Sequence, residues 1–168
     1  EQGWGVPRSV VQALTYFEAA AVQDYGWAHF NLGDLYLSGH GLTANPERAF
    51  GHYVKAARLG VNKALNMLGT LCENGVGAGL PDKVKARLYF QAGAEAQDCW
   101  AAFNMGRLAL EEQDVTTAAY WFERSLPYGF PEYWVFIKQY LHQEKIPILR
   151  TLLAKTHTCL QAALPPKA

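Results

Sequence analysis

Charge of one sign is missing from this 168-residue sequence, in which fifteen Lys and Arg balance fifteen Asp and Glu. A chain that grips nucleic acid or an anionic membrane surface carries basic patches, so neither partner is expected. Long apolar runs are missing too. No stretch approaches the roughly 20 residues that cross a bilayer, and membrane insertion is not expected. Cysteine is scarce: Cys72, Cys99 and Cys159 are odd in number and form no CxxC pair, which argues against a disulfide framework. There is no Asn-x-Ser/Thr sequon. Both absences favour a reducing, cytoplasmic setting. The first residue is Glu1 rather than Met, and a signal peptide removed upstream would instead favour the periplasm or another secretory compartment.

What is present is a globular composition, half hydrophobic and 18% charged, enough for an ordinary core. Near the middle stands "CENGVGAGLPDK", with Gly75, Gly77 and Gly79 alternating. A phosphate-cradling loop of the dinucleotide type follows a strand. Here the preceding apolar residues are Leu65, Leu68, Leu71 and Cys72, whose spacing of three and four describes a helix. The loop also recurs: "GWG" at Gly3–Gly5, "GHG" at Gly39–Gly41 and "GVG" at Gly75–Gly77 stand 36 residues apart. Such glycines end one helix and turn the chain into the next.

Other columns repeat in phase. Ser9, Asn45, Asp82 and Asp114 are helix N-cap types. Each is followed four residues on by Ala13, Ala49, Ala86 or Ala118, and four further by Phe17, Tyr53, Phe90 or Phe122. Ala28, Ala64 and Ala101 precede the pairs Leu32-Gly33, Leu68-Gly69 and Met105-Gly106, where small residues let two helices approach. The unit is helix, glycine loop, capped helix, written about three and a half times. It predicts helices near residues 10–23, 27–38, 46–59, 62–74, 83–95, 98–112, 115–126, 131–143 and 146–163.

"AHFNLGDLYLSGHGLTANPERA" carries the pattern nearly complete, "ALNMLGTLCENGVGAGLPDKVKA" carries it with Cys72 in place of the aromatic and one extra residue before Asp82, and "AAFNMGRLALEEQDVTTA" keeps its start and its cap but loses the glycine loop. This pattern resembles the Sel-one-like repeat, a relative of the tetratricopeptide repeat, across roughly residues 3 to 129. The resemblance implies an all-α fold, a right-handed α-solenoid of antiparallel helix pairs that works as a protein-interaction scaffold. Residues 1–130 then form the repeats, the first incomplete because the chain opens in mid-repeat, as a fragment of a longer solenoid would. Residues 131–168 form C-terminal capping helices, with Leu149, Leu152, Leu153, Thr156 and Leu160 on one stripe of the last.

By analogy with tetratricopeptide repeats, one face of each first helix lines a concave groove. That projection gives Trp27, Phe30 and Asp34, then Lys63, Asn66 and Thr70, then Trp100, Phe103 and Arg107, as the partner-binding residues. Exposed tryptophan and arginine are common binding anchors, and the competing reading packs the tryptophans between neighbouring helices. Catalytic residues, metal ligands and cofactors are not expected. His29, His40, His52, His142 and His157 are scattered and form no HExxH. Cys72 falls in an interior column, and the Glu111, Glu112 and Asp114 cluster reads as a cap beside solvated acids. The resulting expectation is a non-catalytic adaptor for a protein or peptide. Alternatives are an envelope protein that engages peptidoglycan or polysaccharide through groove aromatics, or an immunity-type inhibitor of one cognate protein.

Overall fold

Four helices of this chain start where an Asn or Asp side chain satisfies a free N–H group of the first turn. The computed structural model describes residues 10–39, 42–143 and 147–163. Among them are nine α-helices and no strand: α1 (Val10–Ala21), α2 (Gly26–Ser38), α3 (Pro46–Arg58), α4 (Lys63–Glu73), α5 (Lys83–Glu95), α6 (Cys99–Glu111), α7 (Val115–Ser125), α8 (Pro131–Gln143) and α9 (Pro147–Ala163). Every helix expected from the repeat is there. Asn45 accepts from the Arg48 N–H at 2.9 Å, Asp82 from Lys85 at 2.8 Å and Asp114 from Thr117 at 3.0 Å. Asp98 caps α6 in the same way, accepting from Ala101 at 2.7 Å, a cap outside the column that the other three mark. The Gly3–Gly5 loop, the Ser9 cap, and His40 and Gly41 lie outside the described residues.

The glycine loop after α4 is a helix end tied back on itself. Gly75, Gly77 and Gly79 hold φ values of 86°, 89° and 75°. The Val76 N–H bonds the Leu71 carbonyl and the Asp82 N–H bonds the Cys72 carbonyl, both at 2.9 Å. A Cβ on Gly75 would come within 3.0 Å of the Leu80 backbone, so both the backbone angle and the space call for glycine here.

A second turn recurs that the glycine loops do not announce. Asp24, Gly60 and Gln97 all adopt positive φ, at 55°, 85° and 67°. In each case the next residue donates back to a carbonyl five positions earlier: Tyr25 to Ala20, Val61 to Ala56, Asp98 to Gly93. These are Schellman endings, and Gln113 with Asp114 repeats the arrangement after α6.

The chain divides into two compact units, Glu1–Tyr89 and Phe90–Ala168. In the first, Ala49, Tyr53, Ala56, Val61, Ala64, Leu68 and Leu71 form a core closed by Phe30, Tyr36 and Leu37. A Cβ on Gly33 would stand 2.5 Å from the Tyr53 ring. The missing side chain is therefore what lets α2 lie against α3. The second unit repeats the device, with Gly106 against the Phe122 ring at the same distance. Its core joins Phe103 and Phe122 to Tyr133, Ile137 and Leu141 of α8 and Leu152 of α9. Leu153 packs against that core, and Thr156 is fully buried, as the α9 stripe predicts; the side chains of Leu149 and Leu160 lie outside the described ones. The Tyr133 hydroxyl donates to Ser125 Oγ at 2.5 Å, and Ser125 donates to the Phe122 carbonyl at 2.6 Å. Burial pushes the Tyr133 phenol well above its usual range.

Candidate interaction surface

In the first unit, α2 places Trp27, Phe30 and Asp34 at successive helical turns. Trp27 is 56% exposed. Phe30 meets it edge-to-face at 5.5 Å and continues to the buried Tyr53 at 5.6 Å. Tyr53 donates from its hydroxyl to Asp34 Oδ1 at 2.6 Å. Lys63, at the start of α4, holds its ammonium 6.0 Å from the centre of the Trp27 ring, a cation–π distance. On the same helix the Thr70 hydroxyl bonds back to the Asn66 carbonyl at 3.1 Å. Trp27 thus stands out from a surface whose inner wall is fixed by packing and hydrogen bonds.

The equivalent residues of the second unit are placed differently. Trp100 is half-buried, with the rings of Tyr133 and Phe136 each 4.9 Å away. Phe103 is 6% exposed and packs on Phe122, Phe136 and Tyr140 at 5.7, 5.0 and 4.8 Å. It is a core side chain, because α8 brings aromatic residues over it. Arg107 pairs with Glu111 at 2.6 Å and reaches Asn104 at 3.3 Å. Asp34 and Arg107 are therefore both engaged within the chain.

The histidines that are scattered in sequence are not all scattered in space. His29 of α2 and His52 of α3 face each other, Nδ1 to Nδ1, at 3.1 Å. Tyr36 stacks on His52 at 5.5 Å and 10° between planes. Arg48 reaches the Tyr36 hydroxyl at 3.5 Å. Tyr36, Arg48, Gly51, His52 and Lys55 line a shallow cleft of about 280 Å³, with the buried His29 behind His52. Twenty-three positions separate the two histidines, so only the helix pairing of the repeat signals that they meet. No group of three or more His, Cys, Asp or Glu able to hold a metal ion occurs among the described residues. Burial raises the Cys72 thiol above its ordinary value, which suits a packing role.

With that geometry in view, the comparisons place the chain. The Sel1 repeat family model matches residues 1–25, 28–61, 62–98 and 101–126, and the chain belongs to this family of α-helical repeat proteins. Sel1 repeat proteins are generally protein-interaction scaffolds. A Sel1 repeat protein from Oxalobacter formigenes is similar in structure, with a TM-score of 0.64 and 29% identity, over 79% of this chain and 54% of that one. The fold of c5321, a protective antigen of uropathogenic Escherichia coli with an SLR fold, matches with a TM-score of 0.73 at 24% identity, over 96% of this chain and 35% of that one. NMB1327 of Neisseria meningitidis serogroup B is 36% identical over 91 residues, 54% of this chain and 19% of its own length. The chain thus spans about a fifth to a half of the length of these three proteins. No described helix is long and apolar enough to cross a membrane.

Proposed function

We propose that the chain is a non-catalytic adaptor that holds a protein or peptide along the faces of α2 and α4, with Trp27 as its apolar anchor. The observation that carries this reading is Trp27 itself. A tryptophan left more than half exposed on a wall of packed aromatics, with a lysine set over its ring, offers area that a partner can bury and a cation that a partner's acid can meet. A preformed helical surface adds little ordering cost to binding. The interaction role general to Sel1 repeat proteins supports the same reading.

The test is affinity capture with the intact protein beside its Trp27→Ala and Lys63→Glu variants, with bound proteins identified by mass spectrometry. A partner retained by the parent and lost by both variants is the expected result. A partner retained equally by all three would remove this face from the reading. Retention on insoluble peptidoglycan with no captured protein would replace the adaptor by an envelope role.

A further inference from the structure

We propose that the cleft between α2 and α3 is a binding site for an oxyanion carried by a protein partner, a carboxylate or a phosphoryl group. The site extends the adaptor reading, and lies on residues that reading does not use.

The cleft gathers cationic and proton-binding groups, and no acid is among the residues that line it. Arg48, His52 and Lys55 line it together with Tyr36. Among the described residues, no carboxylate forms an ion pair with Arg48 or Lys55. Across the whole chain acids and bases are equal in number, so the excess is local. Arg48 lies beside Tyr36: its guanidinium is 5.5 Å from the ring centre and 3.5 Å from the hydroxyl. A planar guanidinium at the rim of the cleft presents its remaining N–H donors as a fork, the geometry that matches two oxygens of a carboxylate or phosphate.

The histidine pair gives the site its second donor. His29 is 4% exposed and occupies the Nδ1 of His52. The Nε2 of His52 is then the ring nitrogen left to meet a ligand. In the free protein one ring donates and the other accepts. If the donor ring takes up a proton, the shared bond survives and becomes charge-assisted; a second proton would set two N–H groups against each other. The pair is thus built to hold one proton. Lys55 and Arg48 disfavour that proton and Asp24 favours it on His29, so a bound anion, by offsetting the two cations, draws it in.

Comparison within the chain shows that the fold does not require this cluster. The column of His29 holds Leu65 and Ala102 in the next repeats, and that of His52 holds Tyr89 and Trp121. The column of Tyr36 holds Cys72 and Ala109. Those three positions are filled there by other side chains, whereas cations recur in the other two columns, Lys85 in that of Arg48 and Arg124 in that of Lys55, so it is the histidine pair with Tyr36 that is particular to this repeat.

The experiment is a titration of the full chain, labelled with 13C in its histidine rings, followed by NMR. The probes are acetylated tetrapeptides bearing one central Glu, phosphoserine or Gln. The Glu or the phosphoserine peptide shifts the His29 and His52 ring signals saturably, the tighter of the two identifies the natural group, and the Gln peptide does not shift them. The Arg48→Gln and Lys55→Gln variants, both changes at exposed side chains, bind roughly tenfold more weakly. The Glu peptide binds more tightly at pH 5.5 than at pH 7.5, where its own carboxylate stays ionised. Absence of a saturable shift with both acidic peptides, an equal shift with Gln, or unchanged binding by both variants would each overturn the proposal. None of these results depends on capturing the adaptor's partner through Trp27, so the two readings fail separately.

Discussion

The Tyr53 hydroxyl donates to Asp34 at 2.6 Å while the face of its ring fills the space left by Gly33. One fully buried side chain therefore both sets the spacing of α2 and α3 and fixes a carboxylate on the surface above them. Burial, reinforced by Asp34, pushes the Tyr53 phenol far above its usual range, so it stays a donor at any ordinary pH. Tyr53→Phe keeps the packing and removes the bond. A hydrogen bond to a charged group contributes about 1.5–3 kcal/mol, and the partly exposed Asp34 recovers some water, so a loss of about 1–2 kcal/mol is expected by urea denaturation. A midpoint within error of the parent would show that the bond adds nothing.

Glycine at position 33 is a matter of space, and at position 51 it is not. Gly33→Ala drives a Cβ into the Tyr53 ring and should lower stability by about 1–3 kcal/mol. At Gly51, inside α3, a Cβ meets nothing within 4 Å, and Gly51→Ala should raise stability by about 0.5–1 kcal/mol through helix propensity. Thermal melts of the two variants side by side test the close approach; equal shifts in one direction would contradict it.

Gln97 sits at φ 67° where the preceding repeat has Gly60. A non-glycine residue there carries roughly 1–2 kcal/mol of strain. The greater freedom of glycine in the unfolded chain offsets part of the relief. Gln97→Gly is expected to raise stability by about 0.5–1 kcal/mol, read from the shift of the urea midpoint. A destabilised variant would mean that the Gln97 side chain makes a compensating contact.

The two groove tryptophans should part company on truncation. Trp100→Ala opens a hole among Tyr133, Phe136 and Phe103 and should cost about 2–3 kcal/mol. Trp27→Ala, at an exposed site, should cost less than about 1 kcal/mol. Circular-dichroism melts rank the pair. The opposite ranking would return Trp100 to the role of free anchor and make Trp27 a packing residue.

Burial, helped by the adjoining His29 ring and the positive charges of Lys55 and Arg48, holds the His52 imidazole down at about 4 against an ordinary 6.5. Between those values the unfolded chain binds a proton that the folded chain refuses. Stability therefore falls as pH is lowered through this window. His52→Tyr, which installs the residue type that Tyr89 provides one repeat later, should make the melting temperature less sensitive between pH 7 and pH 5. Some dependence will persist, because burial also lowers His29. Parallel curves for parent and variant would show that His52 does not carry the effect.

Much of the helical architecture was legible in the sequence because its determinants are local and repeated. Asn45, Asp82 and Asp114 cap first turns from within three residues, and Gly75, Gly77 and Gly79 mark a loop of positive φ by their own backbone freedom. The Ala and Gly columns and the large aromatics opposite them recur in phase, so each repeat vouches for the next. The Schellman turns were less visible, since Asp24 and Gln97 adopt the left-handed region without glycine. Tertiary structure alone decided what covers each surface. Trp27 and Trp100 occupy the same column with Phe three residues on, and nothing local separates them. Lys63 comes to the first, whereas α8 brings Tyr133 and Phe136 to the second, so one ring stays in water and the other is packed. In the same way His29 and His52 become a pair because the absence of a side chain at Gly33 lets their two helices close to contact distance. The energy of a surface residue depends on which neighbour reaches it, and that neighbour lies outside the local pattern from which the helix is read.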